Sequence, residues 1–136
     1  MNKSNFGIAV KAFIISDDSI LLIKRSLKDK HKPGVWEVPG GRLNELSEDP
    51  ILGLKREVKE EIGLNIEVIS PIRVHSFTRD DNQKITMISF LCKPLNSEII
   101  LSTEHSEAKW VSKKEVKTLL VSDFHENIDV INKYFS

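Results

Sequence analysis

Residues 39–64 read PGGRLNELSEDPILGLKREVKEEIGL, and the reading of the whole chain turns on this stretch. Asp49-Pro50 is a strong helix start. The aspartate can cap exposed N–H groups, and proline is tolerated at the first helical position. Gly63 can end the same helix as a left-handed cap. At about 100° per residue, Ile51, Leu54, Val58 and Ile62 fall between about 300° and 20°, a narrow apolar stripe that can pack on a sheet. Glu57, Glu60 and Glu61 fall at about 240°, 180° and 280°, an adjacent arc at the rim of that stripe. Gly53 lies on the same side, one turn before Glu57. Glycine inside a helix costs ~1 kcal/mol relative to alanine, so another backbone or a ligand is expected to pass close to Gly53. Lys55 and Lys59 point elsewhere and do not neutralise the acidic arc.

Three glutamates in a row of turns most often mark a solvated helix face, and like charges at this spacing repel. The sharper reading is a divalent cation site. A hard cation needs several carboxylate oxygens converging within ~2.0–2.6 Å of one point, and acids at i, i+3 and i+4 can supply them from one rigid element.

Outward from the helix, the chain alternates between strand and turn signals. Residues 6–16 (FGIAVKAFIIS) and 20–24 (ILLIK) form a predicted hairpin across Ser16-Asp17-Asp18-Ser19. A polar loop with a Pro33-Gly34 turn leads to a short extended piece, residues 35–38, stopped by Pro39-Gly40-Gly41. Residues 42–48 read as loop. Residues 64–77 and 84–93 read as strands joined by a turn at Asp80-Asp81-Asn82. Residues 94–107 read mostly as loop, with room for a short strand at 99–101, and residues 108–111 as a short strand. Ser112 is expected to cap a helix over 113–120, with Glu115 in the capping-box position. A last helix over 124–135 places Phe124, Ile128, Ile131 and Phe135 near one face. Mixed strands with three helices predict an α/β sandwich.

The chain has 136 residues, so a single domain over 1–136 is the default. Lys plus Arg equals Asp plus Glu, 20 each, and nothing in that balance calls for nucleic acid or an anionic membrane surface. The lone cysteine, Cys92, excludes an intrachain disulfide framework and suits a reducing compartment. Its apolar setting predicts a buried, inert thiol. No secretory signal and no run of membrane-spanning length is visible, so a cytoplasmic, soluble protein is expected.

The stretch 39–64 resembles the signature of the Nudix hydrolase family: a glycine, five residues, a glutamate, seven residues, then R-E-U-x-E-E-x-G-U, with U aliphatic. From Glu48 through Arg56-Glu57-Val58-Lys59-Glu60-Glu61-Ile62-Gly63-Leu64 the match is complete. Upstream, Gly34-Val35-Trp36-Glu37-Val38-Pro39-Gly40-Gly41 resembles the family's lead-in. Downstream, Glu104-His105-Ser106-Glu107-Ala108-Lys109-Trp110-Val111 resembles a segment that often follows the box. One departure stands out. Six residues, not five, separate Gly41 from Glu48, so one extra residue lies within Arg42–Ser47. Loops absorb single insertions more easily than helices do, so the helix register is expected to survive.

The resemblance implies an α/β/α sandwich around a mixed central β-sheet. It also implies cleavage of a nucleoside diphosphate linked to a further group X, with Mg2+ or Mn2+. By position, Glu57, Glu60 and Glu61 match metal-binding acids and Gly40 matches a backbone carbonyl ligand. Arg56 matches a bracing arginine, Glu48 an acid that holds the loop structure, and Gly41 belongs to that loop with it. The general base is left open between Glu57, Glu60 and a mobile downstream loop bearing Glu104 or Glu107. Arg25 and Arg42 flank the predicted site and are candidates to meet a phosphate. Trp36 and Phe77 are candidates to stack on a base, with core packing an equal claim on each. Packing is favoured for Trp110, and His75 and His105 lack a metal-like partner pattern. The expected substrate is a nucleoside triphosphate or damaged nucleotide, as for MutT-like members. The alternatives are ADP-ribose or a nucleotide sugar, or a catalytically silent nucleotide sensor. Dimers are common in the family, and the sequence leaves the oligomeric state open.

Overall fold

The computed structural model describes residues 5–45 and 47–135. Its elements are β1 (Phe6–Ser16), β2 (Ser19–Arg25), β3 (Trp36–Glu37), β4 (Gly40–Arg42), α1 (Pro50–Ile62), β5 (Ile66–Thr78), β6 (Lys84–Pro94), β7 (His105–Ser112), α2 (Val116–Leu119) and α3 (His125–Tyr134). A 3-10 turn, Ser122–Phe124, leads into α3. The sheet is mixed. β1 runs parallel to β6, from Phe6 opposite Lys84 to Ile14 opposite Cys92, and antiparallel to β2 and β4. β5 pairs β6, and β7 pairs β2.

β1 and β2 are buried on both faces, as their near-continuous apolar runs require. Strand alternation divides them between two cores. Ala9, Phe13, Ile20 and Leu22 pack with Val116, Leu120, Phe124, Ile128 and Ile131, on the face covered by α2 and α3. Val10, Ala12, Ile14, Leu21 and Ile23 pack with Leu54, Val58 and Ile62 of α1. This is the expected α/β/α sandwich. Cys92 lies in the α1 core, and burial pushes its thiol up to about 12, which keeps it unreactive.

α1 has the ends its sequence dictates. Asp49 Oδ1 accepts from Ile51 N at 2.8 Å and Leu52 N at 3.0 Å, and Gly63 closes the helix at φ 75°. Leu54, Val58 and Ile62 are fully buried, but Ile51, assigned to the same stripe, is 42% exposed. At the first turn the helix has not yet come under the neighbouring strands. The close approach at Gly53 is made by the Leu43 side chain and the Glu48 carboxylate, not by a backbone or a ligand.

Several boundaries differ from the sequence reading. Gly40–Arg42 is a strand where a turn and loop were expected, and the strand region near Trp110 begins at His105, not Ala108. β7 is a largely exposed edge strand whose charged residues read locally as loop. Residues 99–101 form no strand. They are fastened instead to the end of α1, with Ile100 N bonded to Ile62 O. α2 is shorter than 113–120, and Ser112 supplies only a backbone carbonyl to Glu115 N, with no side-chain cap. Trp110 is 38% exposed, so it is not the packing residue expected, and Phe135, placed near the face of Phe124, Ile128 and Ile131, is 36% exposed where those three are buried. The extra residue falls somewhere in 42–47. Leu46, within that span, lies outside the described residues.

β4 exists because Gly40 adopts φ 134°, where a Cβ would collide with the Val10 carbonyl oxygen on β1. Gly40→Ala should therefore lower unfolding free energy by about 3 kcal/mol or more, measured as a fall in the urea midpoint.

Candidate active site

β4 lies against α1, and the two elements meet through glutamates. Gly40 N donates to Glu61 Oε1 at 2.8 Å. One turn earlier on the helix, Glu57 stands over Gly41, where an added Cβ would be 3.0 Å from Glu57 Oε2. Gly41 thus lets the Glu57 carboxylate come close to the backbone, while Gly40 holds Glu61 through its N–H.

The three acids differ in exposure as their helix angles imply. Glu61 is 7% exposed, Glu57 is half-buried, and the Glu60 side chain is 60% exposed. Burial raises the Glu61 carboxyl to about 7, against the lowering pull of Lys11, the Gly40 N–H and His105. Burial likewise raises Glu57, opposed by Arg56 and reinforced by Glu60.

Arg56 answers the repulsion between these acids. Its Nε and Nη2 bind both oxygens of Glu48 at 2.9 and 3.1 Å, and its Nη1 reaches Glu57 Oε1 and Glu60 Oε2, each at 3.2 Å. Glu48 also accepts from Asn44 N at 2.9 Å, so the loop before α1 is tied to the helix. Hydrogen bonds from Arg56 and Asn44 hold the Glu48 carboxyl below its ordinary range. Lys59 reaches Gly63 O, away from the acids, as expected.

Beneath the carboxylates lies a buried polar chain that the sequence reading missed. Lys11 Nζ contacts Glu37 Oε1 and Val38 O, each at 3.3 Å, and Gly40 O at 3.4 Å. Glu37 Oε2 bonds His105 Nε2 at 2.9 Å, and Arg25 Nε is 3.1 Å away. Burial would raise Glu37, but Lys11, His105 and Arg25 together bring it to about 2. His105, lacking a partner pattern in sequence, thus stands between Glu37 and Glu61. The available signal was a lone charge inside an apolar run, Lys11 in FGIAVKAFIIS and Glu37 in VWEV. Buried charges need partners, so these two called for each other.

The remaining candidates are dispersed. Arg25 is engaged by Glu37 and Asp29. Arg42 lies over Gly7, donating to Phe6 O and Gln83 Oε1 at 3.3 and 3.2 Å. Trp36 packs on the α2–α3 core, favouring its structural role. Phe77 stacks on His75 of β5, and β1 and β6 separate that strand from β4, a span of about 14 Å at ordinary strand spacing. Glu104 and Glu107 are exposed. The segment leading to them is pinned rather than free, since Ser102 N bonds Glu61 O and Ser26 N bonds Glu104 O.

Among the described residues, no three His, Cys, Asp or Glu side chains converge on one point. The donor chemistry nevertheless fits a hard cation. A buried and a half-buried carboxylate lie against the Gly40-Gly41 backbone, and Glu60 beside them is paired with Arg56 at the surface. No helix among the described residues is long and apolar enough to cross a membrane.

A family model described as "NUDIX domain" matches residues 5–132. A "MutT-like protein" from Streptomyces ambofaciens is 34% identical over 110 residues, covering 81% of this chain and 66% of that protein. The chain thus spans about two thirds of that relative's length. An "8-oxo-dGTP diphosphatase" from Proteus vulgaris is 31% identical, covering 73% of this chain and 86% of that protein. Among solved structures, a MutT protein from Methanosarcina mazei Go1 superposes with a TM-score of 0.81 at 29% identity, covering 98% of this chain and 99% of that one.

Glu61 gives a test that needs no substrate. Its raised value means the folded state holds the proton more tightly than the unfolded state does. The contribution of Glu61 to stability is therefore fully present below about 4.5 and is lost as pH rises through about 7. In chelator, Glu61→Gln should remove on the order of 2 kcal/mol of that fall, read as a flatter Tm against pH. A slope unchanged by the substitution would contradict the assignment.

Proposed function

This chain belongs to the NUDIX family of hydrolases, and from that premise we propose a divalent-metal-dependent pyrophosphohydrolase acting on a nucleoside triphosphate or a damaged nucleotide. Pyrophosphohydrolase action on nucleotides follows from the family and its relatives. A triphosphate or damaged nucleotide as substrate is supported by the relative named an 8-oxo-dGTP diphosphatase. The observation that carries the metal reading is the pairing of Glu61 and Glu57 with the Gly40-Gly41 turn.

Glu57, Glu60, Glu61 and the Gly40 carbonyl are the groups that would hold Mg2+ or Mn2+. Such an ion supplies a more acidic bound water and charge neutralisation at the diphosphate oxygens. Arg56 holds Glu57 and Glu60 in place from the Glu48 side, so the loop and the helix present their oxygens as one unit. Glu57 or Glu60 accepts the proton of the attacking water at a carboxylate oxygen. Glu104 and Glu107 are the alternative acceptors. Glu60 is the acid most free to turn, since its side chain is largely exposed. Arg25 and Arg42 are the candidate phosphate contacts, although each is already engaged within the fold.

Single Glu57→Gln, Glu60→Gln and Glu61→Gln substitutions should each lower kcat at least about 100-fold with magnesium, the scale of a lost general base or metal ligand. Glu104→Gln and Glu107→Gln measured beside them separate the two base assignments. Near-normal rates for the three helix variants would overturn the metal reading. A screen of canonical and oxidised nucleoside triphosphates, ADP-ribose and nucleotide sugars should show turnover of the triphosphates. Turnover confined to ADP-ribose or nucleotide sugars would overturn the substrate class, and tight binding without turnover would indicate a nucleotide sensor.

A further inference from the structure

Glu37 on β3 is approached from three sides, by Lys11 Nζ at 3.3 Å, Arg25 Nε at 3.1 Å and His105 Nε2 at 2.9 Å. With two cations against it, Glu37 is an acceptor, so the His105 Nε2 nitrogen carries the proton and donates. The other ring nitrogen is unusual. His105 Nδ1 is buried with no hydrogen-bond partner among the described residues and lies 3.8 Å from Glu61 Oε2. The side chain is 3% exposed, so solvent does not satisfy it. A buried polar atom left over in this way calls for a reason. Glu61 Oε1 is already taken by the Gly40 N–H, and the imidazole faces the second oxygen.

We propose that His105, held from behind by Glu37, is a positioning residue that sets the direction of the Glu61 carboxylate for a divalent cation. The inference rests on the metal reading above and extends it to a residue 44 positions away in the chain. The backbone supports the arrangement independently of the ring. Ser102 N bonds Glu61 O at 2.8 Å, and His105 N bonds Ser102 O at 3.3 Å, so β7 begins at a fixed place beside the end of α1. His105 does not supply an oxygen ligand. Its ring, packed 3.8 Å from Glu61 Oε2, limits how the existing one can turn.

Two amide substitutions separate this role from simple support of Glu37. Asparagine places an amide group near the Nδ1 position, and glutamine places one near the Nε2 position. Mn2+ is titrated into the chelator-treated full chain and free Mn2+ is followed by electron paramagnetic resonance. His105→Gln should weaken binding about tenfold or more, while His105→Asn stays within about threefold of the unsubstituted chain. The reverse order would assign His105 to Glu37 alone and overturn the proposal, as would equal effects or none. If His105→Gln does not fold, His105→Asn decides: retained affinity supports the proposal and a tenfold loss overturns it. Glu61→Gln is measured alongside. If it binds Mn2+ as the unsubstituted chain does, or if neither binds, the metal reading itself fails, a result distinct from failure of the His105 role.

Discussion

The hydrogen bond from the Gly40 N–H to Glu61 joins the sheet to the acidic helix, and the rest of the site is arranged around it. It places a carboxylate where burial disfavours its charge. That placement is tolerable only because other groups are gathered around it. Lys11 lies under the start of β4, touching Gly40 O, and His105 closes the far side. Removing one partner from a buried charged network leaves the others uncompensated, which costs more than the pair contributes in place. The network is therefore better understood as fixing an arrangement than as stabilising the fold. Stability comes from the two apolar cores on either side of β1 and β2.

Arg56 makes the complementary joint on the solvent side. One guanidinium binds Glu48 with two nitrogens and offers the third to Glu57 and Glu60. The crowding of three glutamates on one helix is thus balanced from two directions. An arginine from the same helix serves the outer pair, and the buried Lys11, Gly40 and His105 serve the inner one. These two supports differ in rigidity. Glu61 is enclosed, whereas Glu60 stays exposed and able to change partner.

Much of the acidic helix was legible from local chemistry. Asp49, Pro50 and Gly63 act on their immediate neighbours, so their roles follow from the order of residues. Within the arc that the helix angles gave, Glu61, nearest the apolar stripe, is buried, and Glu60, farthest from it, is exposed. β4 was not legible, because Pro-Gly-Gly signals a break and becomes a strand only where β1 offers hydrogen-bonding groups beside it. β7 was hidden in part because an exposed edge strand has few apolar residues to reveal it. Gly53 was rightly marked as a close approach, but the approaching group is Leu43, which arrives from a loop whose path the helix pattern does not contain.

By itself the sequence determined the helix, its caps, the placement of three carboxylates on its rim and the hydrolase family whose signature they form. Those features depend on spacings of a few residues, where backbone geometry sets the outcome. Tertiary structure alone decided which carboxylate would be enclosed by which partner. Lys11 and Glu37 are 26 residues apart, and Glu37 and His105 are 68 apart. Contacts over such separations depend on strand order and register, and only the folded sheet brings β1, β3 and β7 together beneath the end of α1.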